Sequence, residues 1–134
     1  MLIDLEQNLG IIMDKTLKRQ RVLAVDDYPK VLRFMEIGLR LSGFEVITAT
    51  SGEEALRLME LLKPDIILLD IIMPEMNGLE VLRRLRVFSR LPVIAFSASQ
   101  TSRGDALRLG ANDFISKPFS TEEMGQKIDA LLRN

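Results

Sequence analysis

Five short apolar segments alternate along the chain with longer stretches whose hydrophobic residues recur every three or four positions. The segments are residues 21–25, 44–49, 66–70, 92–96 and 113–116. In residues 66–70, four aliphatic side chains run without a break into the carboxylate of Asp70. An unbroken apolar run is typical of a strand buried on both faces, as in a parallel sheet. The pattern therefore predicts five strands, each followed by a helix.

The predicted helices begin and end at recognisable signals. Pro29 suits the first turn of the first helix, which Ser42 and Gly43 close. Ser51 and Glu54, and later Ser120 and Glu123, have the spacing of capping boxes. The second helix then runs to Leu62, the third opens at Asn77, the fourth covers Ser102 to about Leu109, and the fifth follows Ser120. Asp27 is expected to serve as an N-cap of the first helix.

Strands that alternate with helices call for a parallel sheet that is covered on both faces and joined by right-handed crossovers. We therefore predict an α/β fold of the flavodoxin-like, doubly wound kind, with five parallel strands in the order 2-1-3-4-5. In this order the first and third strands lie side by side, and ligands bind at the carboxyl ends of the strands there.

Polar residues stand at the ends of four of the five predicted strands. Asp26 and Asp27 end the first, Asp70 the third, Ser97 the fourth and Lys117 the fifth. The second strand, which has no such residue, is an edge strand in the predicted order. Helix capping or turn formation would explain any one of these residues alone. It does not explain the set, so we expect the five side chains to converge on one rim of the sheet.

The composition narrows the chemistry of such a site. The 134 residues include no histidine and no cysteine, and the formal net charge is −1. Disulfides, thiolate sites and imidazole proton transfer are thereby excluded. The near-neutral charge gives no bias toward direct binding of nucleic acid or an anionic membrane, and a cluster of arginines at positions 83, 84, 86 and 90 is expected to be a solvated helix face.

Three carboxylates held close together disfavour one another's ionisation unless a cation lies among them. Mg²⁺ suits this site because it binds one or two carboxylates and leaves room for a phosphate oxygen. Asp70 could then act as a nucleophile toward phosphorus. Lys117 could neutralise charge on the phosphoryl group, and Ser97 could hydrogen-bond one of its oxygens. Since the chain has no histidine, the phosphoryl donor must be another molecule.

Residues 22–132 resemble the receiver domain of two-component response regulators. The resemblance rests on the strand-end aspartates, on Met73-Pro74 and Asn77-Gly78 after Asp70, on Ser97-Ala98, and on Phe114 three residues before Lys117-Pro118-Phe119. It implies that a sensor histidine kinase or phosphotransfer protein phosphorylates Asp70. It also implies that Asp27 and Asp70 bind Mg²⁺ directly, Asp26 mainly through water and Ile72 through its backbone carbonyl. The Lys117–Pro118 peptide bond is expected to be cis.

The same resemblance implies how the domain signals. Ser97 would move toward the phosphoryl group, the ring of Phe114 would turn inward behind it, and the surface of helix 4, strand 5 and helix 5 would change for a downstream partner. Phe114 would instead be a fixed core ring if no such motion occurs. The protein would be a cytoplasmic phosphoacceptor that assists its own phosphorylation and dephosphorylation, and not an enzyme in the usual sense.

Residues 1–20 stand apart as an N-terminal extension to the receiver domain of residues 21–134. Leu2, Leu5, Leu9 and Ile12 recur at helical spacing, although Gly10 weakens the pattern. Such a helix could dock on the domain, pair with a second copy in a homodimer, or be the tail of an upstream helix. The chain ends where a receiver ends, so it is either a stand-alone regulator or part of a longer protein.

Two other classes of function compete with the receiver. The first is a degenerate receiver that binds partners without accepting phosphate, which the complete acidic set and Lys117 disfavour. The second is an enzyme of the flavodoxin or dehalogenase kind. A flavin phosphate would need a loop rich in small residues where Asp26 and Asp27 stand. Dehalogenase-like phosphatases use a second Asp where this chain has Ile72.

Overall fold

A computed structural model describes residues 19–133, and within them five strands alternate with five helices. In chain order the elements are β1 (Arg21–Val25), α1 (Pro29–Leu41), β2 (Glu45–Ala49), α2 (Gly52–Leu62), β3 (Ile66–Asp70), α3 (Gly78–Phe88), β4 (Val93–Ser97), α4 (Ser102–Arg108), β5 (Asp113–Ser116) and α5 (Thr121–Leu132). The predicted elements are all present, with bounds that differ by a residue or two.

The strands form one parallel sheet in the order β2-β1-β3-β4-β5, which confirms the predicted topology. The chain places β1 beside β3, with Val25 opposite Leu69, and β3 beside β4, with Asp70 opposite Phe96. Because all five strands point the same way, their carboxyl ends share one rim. This register brings Asp26, Asp70 and Ser97 to neighbouring positions on that rim.

Two apolar cores lie on the two faces of the sheet. On one face, β-strand residues pack against α1 and α5 through residues such as Met35, Leu39 and Ile128. On the other face they pack against α2, α3 and α4 through residues such as Met59 and Leu82. Every residue of β3 and β4 is buried, as expected for central strands covered on both sides.

Three of the predicted helix caps are confirmed. The side chains of Ser51, Asn77 and Ser120 each accept a hydrogen bond from the backbone N–H three residues ahead. The expected cap at Asp27 is wrong. Pro29 takes the first helical position, which makes Tyr28 and not Asp27 the N-cap of α1, and the Tyr28 side chain makes no capping hydrogen bond.

The loop between β3 and α3 folds tightly back onto the end of β3. The N–H of Gly78 donates to the carbonyl of Ile71 at 2.8 Å. A Cβ atom at position 78 would lie 2.3 Å from the backbone oxygen of Asp70 and 2.7 Å from the Cα atom of Ile71. Since these are backbone atoms that have little freedom to move, only glycine fits here, and the glycine of the Asn77-Gly78 pair is explained by its packing against the end of β3.

The arginine cluster on α3 is solvated only in part. Arg83 and Arg84 are exposed and pair with Glu80 on the helix surface, as expected. Arg86 differs, because its guanidinium donates to the backbone oxygen of Gly110 at 2.8 Å and to Asn112 Oδ1 at 3.1 Å. Arg86 therefore ties α3 to the turn between α4 and β5.

The prediction of a helix in the N-terminal extension, and with it the possible homodimer helix, falls almost wholly on residues 1–18, which lie outside the described residues. Within residues 19–133, no helix is long and apolar enough to cross a membrane.

Candidate functional site

Three carboxylates meet at the carboxyl ends of β1 and β3. One oxygen from each of Asp26, Asp27 and Asp70 lies within 4.8 Å of the other two. Asp26 and Asp70 are buried, whereas Asp27 is half-buried at the mouth of the site. The sheet order alone causes this convergence, because it sets the ends of β1 and β3 side by side.

Lys117 reaches the acidic cluster from the end of β5. Its Nζ atom lies 3.1 Å from Asp26 Oδ2 and 3.6 Å from Asp70 Oδ2. The backbone N–H of Lys117 donates to the carbonyl of Ser97 at 2.9 Å, which fixes the start of this side chain against β4. The Lys117–Pro118 bond is cis, as predicted. The structure thus brings one ammonium into contact with two of the three carboxylates.

The protonation of Asp70 reflects this crowding. Burial, together with the negative charge of Asp26, raises the pKa of Asp70 to about 6, although the charge of Lys117 opposes the shift. One ammonium therefore does not compensate the three carboxylates. A divalent cation would supply the missing positive charge, and an all-oxygen donor set suits Mg²⁺. The residues present fit such an ion on their chemistry.

Asp26 holds its position through two hydrogen bonds. Its Oδ1 atom accepts the backbone N–H of Tyr28 at 2.8 Å, and its Oδ2 atom accepts from Lys117 Nζ. Asp70 accepts a longer bond, 3.4 Å, from the N–H of Ile72. The Ile72 side chain is exposed beside the site, and a role for its carbonyl as a metal ligand stays a prediction.

Ser97 and Phe114 lie on neighbouring strands behind the carboxylates. Ser97 is buried, and its Oγ atom accepts the N–H of Ser99 at 3.1 Å, which shapes the loop after β4. The ring of Phe114 is 3% exposed and belongs to the core between β4 and α4. In this structure the ring already occupies an inward position. Its rotation during signalling stays a prediction.

Two further contacts were not found from the sequence. The ring of Phe96 lies under the Lys117 ammonium, with 5.2 Å between Nζ and the ring centroid, a distance at which cation–π attraction operates. Gln100 Nε2 donates to Ser116 Oγ at 2.5 Å and so ties the loop after β4 to β5. In the sequence Phe96 looks like any other apolar strand residue, and Gln100 looks like a solvated loop residue. No sequence signal therefore predicts either contact.

The family model of the response regulator receiver domain matches residues 22–129, and the chain belongs to this family. It is 46% identical over 124 residues to the transcriptional regulatory protein PrrA of Mycobacterium tuberculosis, covering 90% of this chain and 53% of that protein. It is 38% identical over 117 residues to the alkaline phosphatase synthesis transcriptional regulatory protein PhoP of Bacillus subtilis, covering 85% of this chain and 49% of PhoP. The chain therefore spans about half the length of these relatives.

Solved receiver structures share the fold. The receiver domain of the Francisella response regulator 1452 superposes with a TM-score of 0.81 at 31% identity, covering 86% of this chain and 98% of that one. The chemotaxis response regulator CheY4 of Vibrio cholerae superposes with a TM-score of 0.79 at 28% identity, covering 85% and 99% of the two chains. The predicted family and the flavodoxin-like fold are both confirmed.

Proposed function

We propose that this receiver domain accepts a phosphoryl group on Asp70 in a Mg²⁺-dependent reaction. One observation carries the proposal: the carboxylates of Asp26, Asp27 and Asp70 lie within 4.8 Å of one another, and the Lys117 ammonium lies 3.6 Å from Asp70. A cation site beside a nucleophile and a lysine is the arrangement that phosphoryl transfer requires.

In the proposed reaction a carboxylate oxygen of Asp70 attacks the phosphorus of the donor. The new bond joins Asp70 to phosphorus, and the bond from phosphorus to the donor breaks, which is the P–N bond when the donor is a phosphohistidine. Lys117 stabilises negative charge on the phosphoryl oxygens. Bound Mg²⁺, held by Asp27 and Asp70 and through water by Asp26, would supply further charge stabilisation and orient the phosphoryl group.

The same geometry supports a switch that starts at Ser97. In the proposed switch the Ser97 hydroxyl moves to a phosphoryl oxygen and draws residues 98–104 toward Asp70. Gln100 in this loop is hydrogen-bonded to Ser116 on β5. A displacement of the loop would therefore alter the surface formed by α4, β5 and α5. The ring of Phe114 would fill the space that Ser97 leaves. This surface would then present a different face to a downstream partner.

A sensor histidine kinase or phosphotransfer protein would be the donor, in the cytoplasm, and the downstream partner is a protein or domain that reads the switched surface. The relatives PrrA and PhoP are named as transcriptional regulatory proteins. A role in transcription for the protein that carries this receiver is accordingly part of the proposal, with the receiver itself making no direct contact with nucleic acid.

Intact-mass measurement with acetyl phosphate and Mg²⁺ tests the acceptor. The mass should rise by one phosphoryl group, the rise should need Mg²⁺, and Asp70→Asn should abolish it. Asp105→Asn is the matched control, because Asp105 lies on α4, pairs with Arg108 and does not belong to the acidic cluster. If Asp70→Asn labels as well as the wild type, the acceptor assignment is wrong.

A further inference from the structure

Phe96 and Asp70 are neighbours on the same face of the sheet. The register of β3 and β4 places Asp70 opposite Phe96. Side chains alternate between the two faces of a strand, and Leu68 and Ile94, each two residues earlier, belong to the core that packs against α1 and α5. The ring of Phe96 belongs to the same core and is fully buried. A buried aromatic ring therefore stands on the strand beside the proposed acceptor.

The ammonium of Lys117 lies over this ring. Its Nζ atom is 5.2 Å from the centroid of the Phe96 ring. The same atom is 3.1 Å from Asp26 Oδ2 and 3.6 Å from Asp70 Oδ2. The face of an aromatic ring carries the negative end of its quadrupole and therefore attracts a cation. Two carboxylates and one ring face thus attract the same ammonium.

The ring attracts the ammonium without occupying a particular N–H group. Within the described part of the chain, Lys117 Nζ makes one hydrogen bond, to Asp26 Oδ2. The 3.6 Å separation from Asp70 Oδ2 makes an ion pair but is too long for a hydrogen bond. An ammonium has three N–H donors. Because the ring face attracts the charge as a whole, it leaves the remaining donors of Lys117 available for phosphoryl oxygens.

A second ring holds the plane of Phe96. The centroids of Phe96 and Phe119 are 5.5 Å apart and their planes meet at 66°, which is the edge-to-face arrangement that aromatic pairs favour. Phe119 packs in turn against Phe34 of α1, with 6.4 Å between the two centroids. The ring beneath Lys117 is therefore fixed by contacts with the segment after β5, which is itself held against α1.

We propose that Phe96 is a positioning residue for the phosphorylation of Asp70, because its ring face holds the Lys117 ammonium between Asp26 and Asp70. The proposal rests on the proposed function. Without the ring, Asp26 is the nearest group that attracts the ammonium, and the Lys117 side chain, of which 25% is exposed, can also turn to solvent. In either position the ammonium lies farther from the phosphoryl oxygens. Phe96 does not touch the phosphoryl group and acts only through Lys117.

Fluorinated phenylalanines at position 96 of the full chain test this attraction with little change of shape. Fluorine withdraws electron density from the ring face, so the monofluoro, trifluoro and pentafluoro analogues weaken the attraction in steps. The rate of labelling by acetyl phosphate at saturating Mg²⁺ should fall with each step, by roughly 3- to 30-fold over the series. The same analogues at Phe44 are the matched control and should leave the rate unchanged. Phe44 is buried in the same core but precedes β2, at the amino ends of the strands.

A double-mutant cycle separates an effect through Lys117 from a general effect on the core. Phe96→Leu should slow the labelling of the wild type, but it should change the rate by less than about twofold in the Lys117→Gln background. The reason is that a ring that acts only by holding an ammonium has nothing to hold once the ammonium is removed. An equal fall of the rate in both backgrounds would overturn the proposal, and so would rates that do not follow the number of fluorines.

Proton NMR of the Lys117 side chain gives a readout that needs neither a phosphoryl donor nor Mg²⁺. Protons above an aromatic face are shielded by the ring current, so the ε-methylene protons of Lys117 should move downfield in Phe96→Leu and stay in place in Phe44→Leu. Unmoved protons in Phe96→Leu would overturn the proposal.

The labelling experiments also distinguish this proposal from the proposed function. If the fluorinated series labels at the wild-type rate while Asp70→Asn is inactive, only the role of Phe96 is overturned. If Asp70→Asn labels as fast as the wild type, the acceptor assignment is overturned, and the role of Phe96 in it is overturned as well.

Discussion

Lys117 and Asp26 stand 91 positions apart in the chain and meet at 3.1 Å, closer than Lys117 comes to Asp70. The lysine therefore balances the charge of the carboxylate that is most deeply buried, and it remains within reach of the proposed acceptor. The ring of Phe96 lies beneath the ammonium, with 5.2 Å between Nζ and the ring centroid, and attracts it to the same place. Lys117 is thus held beside the proposed acceptor.

Replacing this lysine should slow phosphorylation of Asp70. A hydrogen bond to a charged group contributes about 1.5–3 kcal/mol, so Lys117→Gln should lower the rate of labelling by acetyl phosphate by about 10- to 100-fold. The rate is measured by intact mass at saturating Mg²⁺. Lys127→Gln is the control, because it removes the same charge from a pair with Asp113 outside the site. Equal rates for the two variants would mean that Lys117 does not contact the phosphoryl group.

The stability of the protein without Mg²⁺ should fall as the pH rises from about 4 to about 6. The pKa of Asp70 is raised from 3.8 to about 6 in the folded chain, so the folded state binds more protons than the unfolded state within this window. Protonation of Asp70 thus favours folding, and that contribution is lost as the pH passes the folded pKa. Urea denaturation at several pH values in EDTA measures the slope.

Asp70→Asn provides the comparison for this pH dependence, because an amide does not titrate. The difference in unfolding free energy between the variant and the wild type should grow in favour of the variant between pH 4 and pH 6 and then level off. Added Mg²⁺ should stabilise the wild type more than the variant at pH 7. A constant difference across the window would show that the pKa of Asp70 is not raised by folding.

Much of the fold could be predicted from the sequence because its signals are local. Ser51, Asn77 and Ser120 each cap the helix that follows, and a cap needs only residues that are three apart. The parallel strands are nearly continuous apolar runs because both faces are covered. The location of the candidate site could be predicted from these elements, because the strand order puts the ends of β1, β3, β4 and β5 on one rim of the sheet.

What the sequence did not predict depends on contacts between distant elements. The preference of Lys117 for Asp26 and the ring of Phe96 beneath it are set by how β4 and β5 pack. Arg86 looked solvated because its neighbours are, but it reaches Gly110 across the domain. None of these leaves a local pattern.

Gly78 should be intolerant of any side chain, since a Cβ atom would press on the backbone of β3 at Asp70 and Ile71. We expect Gly78→Ala to lower the free energy of unfolding by about 1–3 kcal/mol, as other forced overpacking does. Gly104→Ala is the matched control. It lies in the short helix α4, where the nearest atom to a new Cβ would be 3.9 Å away. This control should raise stability by up to about 1 kcal/mol through helix propensity. Urea denaturation of both variants measures these changes in the free energy of unfolding. Equal changes for the two variants would contradict the close contact between position 78 and the backbone of β3.

The proposed switch is tested with beryllofluoride, a phosphoryl mimic, added with Mg²⁺. Hydrogen exchange should change most in residues 97–117, because Ser97 leads into the loop that Gln100 ties to β5. Ser97→Ala should keep Mg²⁺ binding but lower the equilibrium constant between the switched and unswitched states by about tenfold or more, because one hydrogen bond to a charged group is lost.

Ser89→Ala is the control for Ser97→Ala. It removes a serine hydroxyl that shapes a loop but that has no part in the proposed switch. Ser89 Oγ accepts the N–H two residues ahead at 3.1 Å, as Ser97 Oγ does, but it lies in the loop between α3 and β4. The Ser89 variant should therefore respond to beryllofluoride like the wild type, because its hydroxyl has no phosphoryl oxygen to reach. An exchange change confined to Asp26, Asp27 and Asp70, with residues 97–117 unaltered, would contradict the switch. The domain would then accept phosphate without altering the surface of α4, β5 and α5, as a phosphate sink or relay does.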